Sequence, residues 1–174
     1  MIKVIENFLD DEYFNEIETF ITSPDFSWYF QDQSVHDEDN DYFMFSHTLY
    51  TKQTGINSEY FQLFLTLLNG ICLRSSATGK NHTKLLRVKA NLYTQTNNII
   101  NYARHEDYPD LDEYTTAVFN FHNSDGFTRF FVNDTIKDVP RIKNTLLLFD
   151  GKIEHFGTTQ TNSKKAVVMN FDLN

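Results

Sequence analysis

Residues 84–96, KLLRVKANLYTQT, open the stretch that decides the fold, because apolar and polar side chains alternate there as they do in a β-strand. Four similar segments follow: TTAVFNFH (115–122), FTRFFVN (127–133), NTLLLFD (144–150) and KKAVVMNFDL (164–173). Turn-forming residues separate them, including NSDG at 123–126 and DG at 150–151. The second half of the chain is therefore predicted to form an antiparallel β-sandwich or barrel.

The first half of the chain mixes helices with strands. Apolar residues recur at three- and four-residue spacing in residues 10–21, before Ser23-Pro24, and again in residues 57–74, which predicts two helices. Their candidate N-caps are Asp10 or Asp11, and Asn57 or Ser58. Short strands are predicted in residues 2–9, in FSWYF (26–30) and in YFMFSHTLY (42–50). An acidic loop around His36–Asp41 is expected to be exposed.

These patterns predict one α+β domain over residues 1–174, with a helical and strand-containing support in residues 1–82 and a β-rich core in residues 83–174. The composition agrees, because 40% of the chain is apolar and 16% is aromatic, which excludes a disordered protein. Seventeen Phe and nine Tyr suit an aromatic-packed β interior.

The charge and the cysteine count limit where and on what the protein acts. A net charge of −9 argues against binding to phosphate backbones. Alternation puts Arg87 and Lys89 on one strand face, which we expect to be solvated. The single cysteine, Cys72, cannot form an internal disulfide, so we expect a reducing compartment, the cytoplasm. Neither a signal peptide nor a membrane-spanning stretch is predicted.

The residues His105-Glu106-Asp107 and His155 suggest a metal site. In an extended segment His105 and Asp107 point to the same side while Glu106 faces away. Two imidazoles and one carboxylate form the facial triad that binds Fe(II) and leaves coordination positions open for oxygen chemistry. An H-x-D motif alone is also common in acidic surface loops.

Neighbouring residues add weight to this site. Asn91 and Tyr93 share a strand face and both can donate hydrogen bonds to a carboxylate. Lys165 lies ten positions after His155 and would need an anionic partner if it were buried. Lys164 is the alternative to Lys165, and both could equally be solvated loop residues. We favour Lys165, because alternation would then place Val167 and Met169 on the wall of an apolar pocket.

Taken in order, several motifs resemble the catalytic core of the Fe(II)/2-oxoglutarate oxygenase superfamily. They are R-x-K-x-N-L-Y (87–93), H-x-D (105–107), AVFNFHNSDGFTRF (117–130), NTLLLFDGKIEHFGTT (144–159) and a basic residue before the last strand. NFLDDEYFNEI (7–17) and FSWYF (26–30) also look like the entry helix and strand of these proteins. The chain looks most like the small prolyl-4-hydroxylase-like members common in phage and marine bacterial genomes.

The resemblance implies a double-stranded β-helix, the jelly roll also found in cupins, with the N-terminal helices packed on one sheet. It implies that His105, Asp107 and His155 bind the metal and that Lys165 and Tyr93 bind the distal carboxylate of 2-oxoglutarate. Asn91 and a hydroxyl from Thr158 or Thr159 would help. Many members have Arg where this chain has Lys165, and the lysine favours the prolyl 4-hydroxylase branch.

The implied reaction is hydroxylation of a substrate C–H bond with Fe(II), 2-oxoglutarate and O2, yielding succinate and CO2, with ascorbate as a stimulant. The substrate would be a small molecule or a prolyl or other peptidyl side chain of a peptide or protein. The alternatives are a dioxygenase directed at nucleotides or nucleic acids, a jelly-roll binding module without activity, and an inert cupin-like metal protein.

Overall fold

A computed structural model describes residues 2–32, 43–76 and 84–174. The predicted acidic loop around His36–Asp41 lies outside these residues. The helices are α1 (Asp11–Ile21), a 3-10 helix (Glu59–Phe64) and α2 (Leu65–Ser76). The strands are β1 (Ile2–Ile5), β2 (Tyr29–Gln31), β3 (Met44–Thr51), β4 (Gly55–Ile56), β5 (Leu85–Thr94), β6 (Thr115–Asn120), β7 (Ser124–Val132), β8 (Thr135–Arg141), β9 (Thr145–Asp150), β10 (His155–Gly157) and β11 (Lys165–Leu173).

The strands form two antiparallel sheets. The large sheet has the order β1-β9-β6-β11-β5-β3-β2, with β4 paired to β3, and the small sheet has the order β10-β7-β8. Side chains from both sheets, among them Val118, Phe130 and Val168, form one core between them. The fold is therefore the predicted α+β jelly roll, a double-stranded β-helix.

The helices pack on the outer face of the large sheet, as expected. Phe14 and Ile17 of α1 share a second core with Leu67 of α2 and with Phe119 and Met169 of the sheet. Asp10 caps α1 by accepting a hydrogen bond from Tyr13 N at 3.0 Å, which resolves the choice between Asp10 and Asp11. None of the described helices combines the length and the apolar character needed to cross a membrane.

The second predicted helix differs from its prediction in form. Ser58 is its N-cap, accepting a hydrogen bond from Tyr60 N, but the first six residues wind as a 3-10 helix before α2 begins at Leu65. The apolar stripe does not distinguish the two windings, because Phe61 and Phe64, three residues apart, reach the same core in either.

The last strand, β11, lies between β5 and β6 in the large sheet, so both of its edges are paired. Its two faces are also covered, one by the helices and one by the small sheet. Ala166 and Val168 point into the core between the sheets, whereas Val167 and Met169 point towards the helices. This is the reverse of the register we predicted, which placed Val167 and Met169 on the pocket side.

Strand β8 was not predicted from the sequence. Its residues TIKDVPR are mostly exposed, and among the described strands it pairs only with β7, at the edge of the small sheet. Pro140 is tolerated there because an edge strand does not need every backbone N–H for pairing. Arg141 at its end is nevertheless buried, with 3% of its surface exposed.

Candidate metal centre

His105 and His155 face each other across a short antiparallel bridge between the segment before β6 and strand β10. Each backbone N–H donates to the other residue's carbonyl at 3.0 Å. Asp107 follows on the same side, with Oδ2 3.6 Å from His155 Nε2 and Oδ1 4.0 Å from His105 Nε2. One ligand atom from each of the three residues lies within 4.8 Å of the others, so the structure brings the predicted triad together.

The two imidazoles are oriented for metal binding. Nδ1 of His105 donates to Ala103 O at 2.9 Å, and Nδ1 of His155 donates to Ile153 O at 3.0 Å. Each ring thereby turns its Nε2 lone pair towards the centre of the triad. Burial lowers the pKa of His155, which favours the neutral imidazole that a metal requires.

Asp107 is held by a buried network of charges. Arg87 pairs with Asp107 Oδ1, and its Nε donates to Asp172 Oδ2 at 2.9 Å. Thr116 Oγ1 donates to the other oxygen of Asp172 at 2.9 Å. Burial alone would raise the pKa of Asp107, but Arg87 and the two imidazoles lower it to about 2. Burial and the charge of Asp107 raise the pKa of Asp172 to about 7. Arg87 therefore keeps the ligand carboxylate ionised.

The residues fit Fe(II). Asp107 Oδ2 is buried and has no hydrogen-bond partner among the described residues, as expected for an atom that faces a metal. Two imidazole nitrogens and one carboxylate oxygen on one side are the donor set of a facial triad. Glu106 is not part of it and instead pairs with Lys152 Nζ at 2.6 Å.

The triad opens into a cavity of about 590 Å³ between the two sheets. Its wall combines the metal-binding residues with a polar stripe from β5 and β11 and with aromatic and basic side chains at the far end. These residues include Arg87, Lys89, Asn91, Tyr93, Tyr102, His105, Asp107, Thr128, Arg141, His155, Gly157, Val168 and Asn170. Arg87 and Lys89 thus face the cavity, and the expectation that their strand face is solvated is wrong.

Arg141 is a third basic residue of this cavity, besides Arg87 and Lys89. Its guanidinium donates to Gln160 Oε1 at 3.2 Å and Thr158 O at 3.0 Å, and Cζ lies 4.6 Å from the centre of the Tyr93 ring. No carboxylate of the described residues forms an ion pair with it. A buried guanidinium with only neutral partners is costly, so Arg141 provides a site for an anionic ligand.

Tyr93 and Gly157 shape the space beside Arg141. A Cβ atom on Gly157 would lie only 2.8 Å from the Tyr93 hydroxyl oxygen, so β10 comes close to β5 because residue 157 has no side chain. Burial raises the pKa of Tyr93, so its hydroxyl stays protonated and can donate. Of the predicted helpers, Asn91 also lines the cavity, and its Oδ1 is buried without a partner among the described residues.

The other predicted cosubstrate residues lie elsewhere. Lys165 is exposed and its Nζ lies 3.5 Å from Thr22 O, on the helix side of the sheet, and Lys164 is exposed too. Thr158 Oγ1 accepts from Phe127 N at 2.9 Å, and Thr159 Oγ1 accepts from Ile100 N at 2.8 Å. The two hydroxyls hold backbone segments, and neither threonine lines the cavity.

Sequence reasoning missed Arg141 because β8 has no alternating apolar pattern from which a buried face can be recognised. The only local signal is Val139-Pro140-Arg141, where Val139 and Arg141 share the inward face.

No protein-family model matches the sequence, and no curated protein is significantly similar to it. Among solved structures, the chain is similar to an oxidoreductase of the 2OG-Fe(II) oxygenase family from Burkholderia pseudomallei, with a TM-score of 0.77, 10% identity, and coverage of 99% of this chain and 84% of that one. A prolyl-4-hydroxylase from Pseudomonas putida has a TM-score of 0.71 and 14% identity, with coverage of 99% and 91%.

A prolyl hydroxylase from Trichoplax adhaerens, solved with a peptide fragment of the hypoxia inducible factor oxygen degradation domain, has a TM-score of 0.68 and 13% identity. The alignment covers 99% of this chain and 83% of that one. These TM-scores demonstrate a common fold, and at identities this low they demonstrate the fold alone. The chain therefore has the double-stranded β-helix fold of the 2-oxoglutarate–Fe(II) oxygenases and prolyl hydroxylases.

Proposed function

We propose that this protein is an Fe(II)- and 2-oxoglutarate-dependent dioxygenase that hydroxylates a substrate C–H bond. The observation that carries the proposal is the presence, in one cavity, of the complete His105, Asp107 and His155 donor set and the unpaired guanidinium of Arg141. The first would hold the metal, and the second would hold a carboxylate. An inert metal protein would need only the metal donor set, and a jelly-roll binding module without activity would not need it.

Each part of the cavity has a role in this function. Arg141 would bind the distal carboxylate of 2-oxoglutarate through its planar fork, and the Tyr93 hydroxyl would donate a further hydrogen bond. Fe(II) and 2-oxoglutarate, when bound, supply the oxidising power for hydroxylation with O2, releasing succinate and CO2. Phe130 and Phe149 pack around His155, with the Phe149 ring centre 4.8 Å from the imidazole, and keep water from this ligand.

The finer assignment has two candidates: a hydroxylase of a small molecule, and a prolyl or other peptidyl hydroxylase of the small type found in phage and marine bacteria. The likeness to two prolyl hydroxylase structures, one of them with a bound peptide, supports the second candidate. Lys165 does not support the prolyl 4-hydroxylase branch, because its side chain lies outside the cavity. The lone cysteine still supports a cytoplasmic location.

The proposal is tested by adding Fe(II) and 2-oxoglutarate to the purified protein without oxygen. We expect a visible metal-to-ligand charge-transfer band, and succinate release once air is admitted. The His155→Ala variant should show neither, because it lacks one of the two imidazole ligands. Absence of the band in the wild-type protein at saturating Fe(II) and 2-oxoglutarate would reject the proposal.

A further inference from the structure

The charged groups of the cavity leave one cation without a role. Arg87 is neutralised by Asp107 and Asp172, and Arg141 is assigned to the cosubstrate. Lys89 lines the same cavity but forms no ion pair with any of the described residues. It lies two positions after Arg87 on the same strand face, about 7 Å along β5. It therefore lies near the Asp107 end of the cavity.

Lys89 and Arg141 lie at different places along the cavity wall. Arg141 lies against Tyr93, which is four residues from Lys89 on β5, or about 13 Å along the strand. Burial and the neighbouring Arg87 lower the pKa of Lys89 to about 8, against the opposite effect of Asp107 and Asp172, which are near but form no ion pair with it. The ammonium group is therefore still mostly protonated at neutral pH. A half-buried ammonium group without an anionic partner is stabilised by a ligand that brings one.

Two amide side chains beside Lys89 lack partners as well. Asn170 is the direct cross-strand neighbour of Lys89, and Asn91 pairs in the same way with Val168. The Oδ1 atoms of Asn91 and Asn170 are buried, line the cavity and accept no hydrogen bond from the described residues. Asn91 is 95% buried, since only 5% of its surface is exposed. A ligand that donates N–H or O–H groups would satisfy these buried acceptors, in place of the water that fills the cavity without it.

We propose that Lys89, Asn91 and Asn170 form the substrate subsite, and that the substrate is a small molecule with a free carboxylate beside an N–H donor, as in a free α-amino acid. Lys89 binds the carboxylate and the two asparagines accept from the donor. The inference rests on the proposed function, and it excludes an internal residue of a peptide, which has no carboxylate at this position. One lysine also suits a carboxylate better than a nucleic acid, whose binding needs several cations.

The test compares the twenty L-amino acids with their C-terminal amides as stimulators of succinate release by the protein loaded with Fe(II) and 2-oxoglutarate. We expect at least one acid to stimulate, with its amide weaker by about tenfold or more, the loss expected for a buried charge pair. The stimulating acid should also perturb the charge-transfer band before oxygen is added. Equal stimulation by amides or by end-capped peptides, or no stimulation by any acid, would overturn the inference.

Variants separate the subsite from the rest of the site. Lys89→Met should lower kcat/KM for the acid by about tenfold or more and leave the affinity for 2-oxoglutarate unchanged. Lys137→Met, at an exposed position of β8, is the matched control and should change neither. If Lys89→Met weakens 2-oxoglutarate binding instead, Lys89 belongs to the cosubstrate and the inference is wrong.

Failure of the inference differs from failure of the proposed function. If the protein forms the charge-transfer band and releases succinate slowly without any substrate, but shows no preference for acids over amides, only the inference fails. If the band never forms, the proposed function fails first. Should Lys89→Met not fold, the comparison of acids with amides on the wild-type protein still decides the question.

Discussion

The guanidinium carbon of Arg141 lies 4.6 Å from the centre of the Tyr93 ring, so a residue from the edge of the small sheet meets one from the middle of the large sheet. The last strand, β11, contributes no cation at this place, because Ala166 is the residue opposite Tyr93. The cation beside Tyr93 is thus supplied from the small sheet.

Replacing Arg141 should therefore affect the cosubstrate, and replacing Lys165 should not. We expect Arg141→Met to weaken 2-oxoglutarate binding by about 100-fold, the loss typical of truncating one partner of a buried charge pair. Titration of the charge-transfer band with 2-oxoglutarate measures this. Lys165→Met is the control and should bind like the wild type. The reverse result would restore the register predicted from the sequence.

Asp107→Ala should lower the Fe(II) affinity by more than about 100-fold, because it removes one of the three metal ligands. Replacing a residue that only hydrogen-bonds to a metal ligand typically costs up to about 100-fold. Its neighbour Glu106 tests the specificity of the effect, because Glu106 pairs with Lys152 and not with the triad. Equilibrium dialysis against Fe(II) under anaerobic conditions compares Asp107→Ala with Glu106→Ala. Equal losses in both variants would contradict the assignment of the ligands.

Arg87→Met should weaken both the fold and the metal site, because it leaves two buried carboxylates without their common partner. We expect the free energy of unfolding to fall by about 3 kcal/mol and the Fe(II) affinity to fall by about tenfold or more. Urea unfolding and metal titration measure the two effects.

The control for Arg87→Met is Arg129→Met, which breaks the exposed pair with Asp138, joined by two hydrogen bonds of 2.7 Å. An exposed pair is worth less than about 1 kcal/mol, so Arg129→Met should change stability little and metal affinity not at all. A similar loss of stability in both variants would show that burial of the Arg87 network is unimportant.

His122 predicts how stability depends on pH. Burial, together with Lys165, Arg141 and Lys143, lowers the pKa of His122 to about 4 from its usual 6.5. Since folding depresses this pKa, its contribution is fully present above about pH 6.5 and is lost as the pH falls towards 4. We expect a loss of about 1 to 2 kcal/mol over that range, allowing for screening of this partly exposed group.

Urea unfolding at about pH 7.5 and at about pH 4, the two ends of the range over which this contribution is lost, gives the measurement. In the wild type, Val167 N–H donates a hydrogen bond to His122 Nδ1 at 3.1 Å. The variant His122→Asn keeps an acceptor for this hydrogen bond, but its side chain does not titrate. Its stability should vary less with pH than that of the wild type. An unchanged pH profile in the variant would assign the effect to other groups.

The sequence predicted the parts of the structure where one face of an element is apolar and the other is polar. Helix α1 ends at the predicted residue and uses one of the two predicted caps. The metal triad was also predicted, because residues two apart in an extended segment point to the same side, which places His105 and Asp107 together. The order of the surrounding motifs added His155. The structure places both imidazoles and the carboxylate around one point.

The cosubstrate site was predicted less well, for two physical reasons. Both faces of β11 are buried, one by the small sheet and one by the helices, so its residues are apolar on both faces. The sequence therefore does not show which residues of β11 face the cavity. Lys165 could therefore be assigned to the wrong face. Arg87 and Lys89 were expected to be solvated because charged strand residues usually are, whereas here they line a cavity.

Strand β8 carries Arg141 on an unpaired edge, where the backbone could recruit a strand from a second molecule. Pro140 offers no N–H for such pairing, and Lys137 and Asp138 place charges along the same edge. The features that concealed this strand in the sequence thus protect it from aggregation. Substitutions intended to make β8 a more regular strand would carry that risk next to Arg141, the residue that we propose binds the cosubstrate.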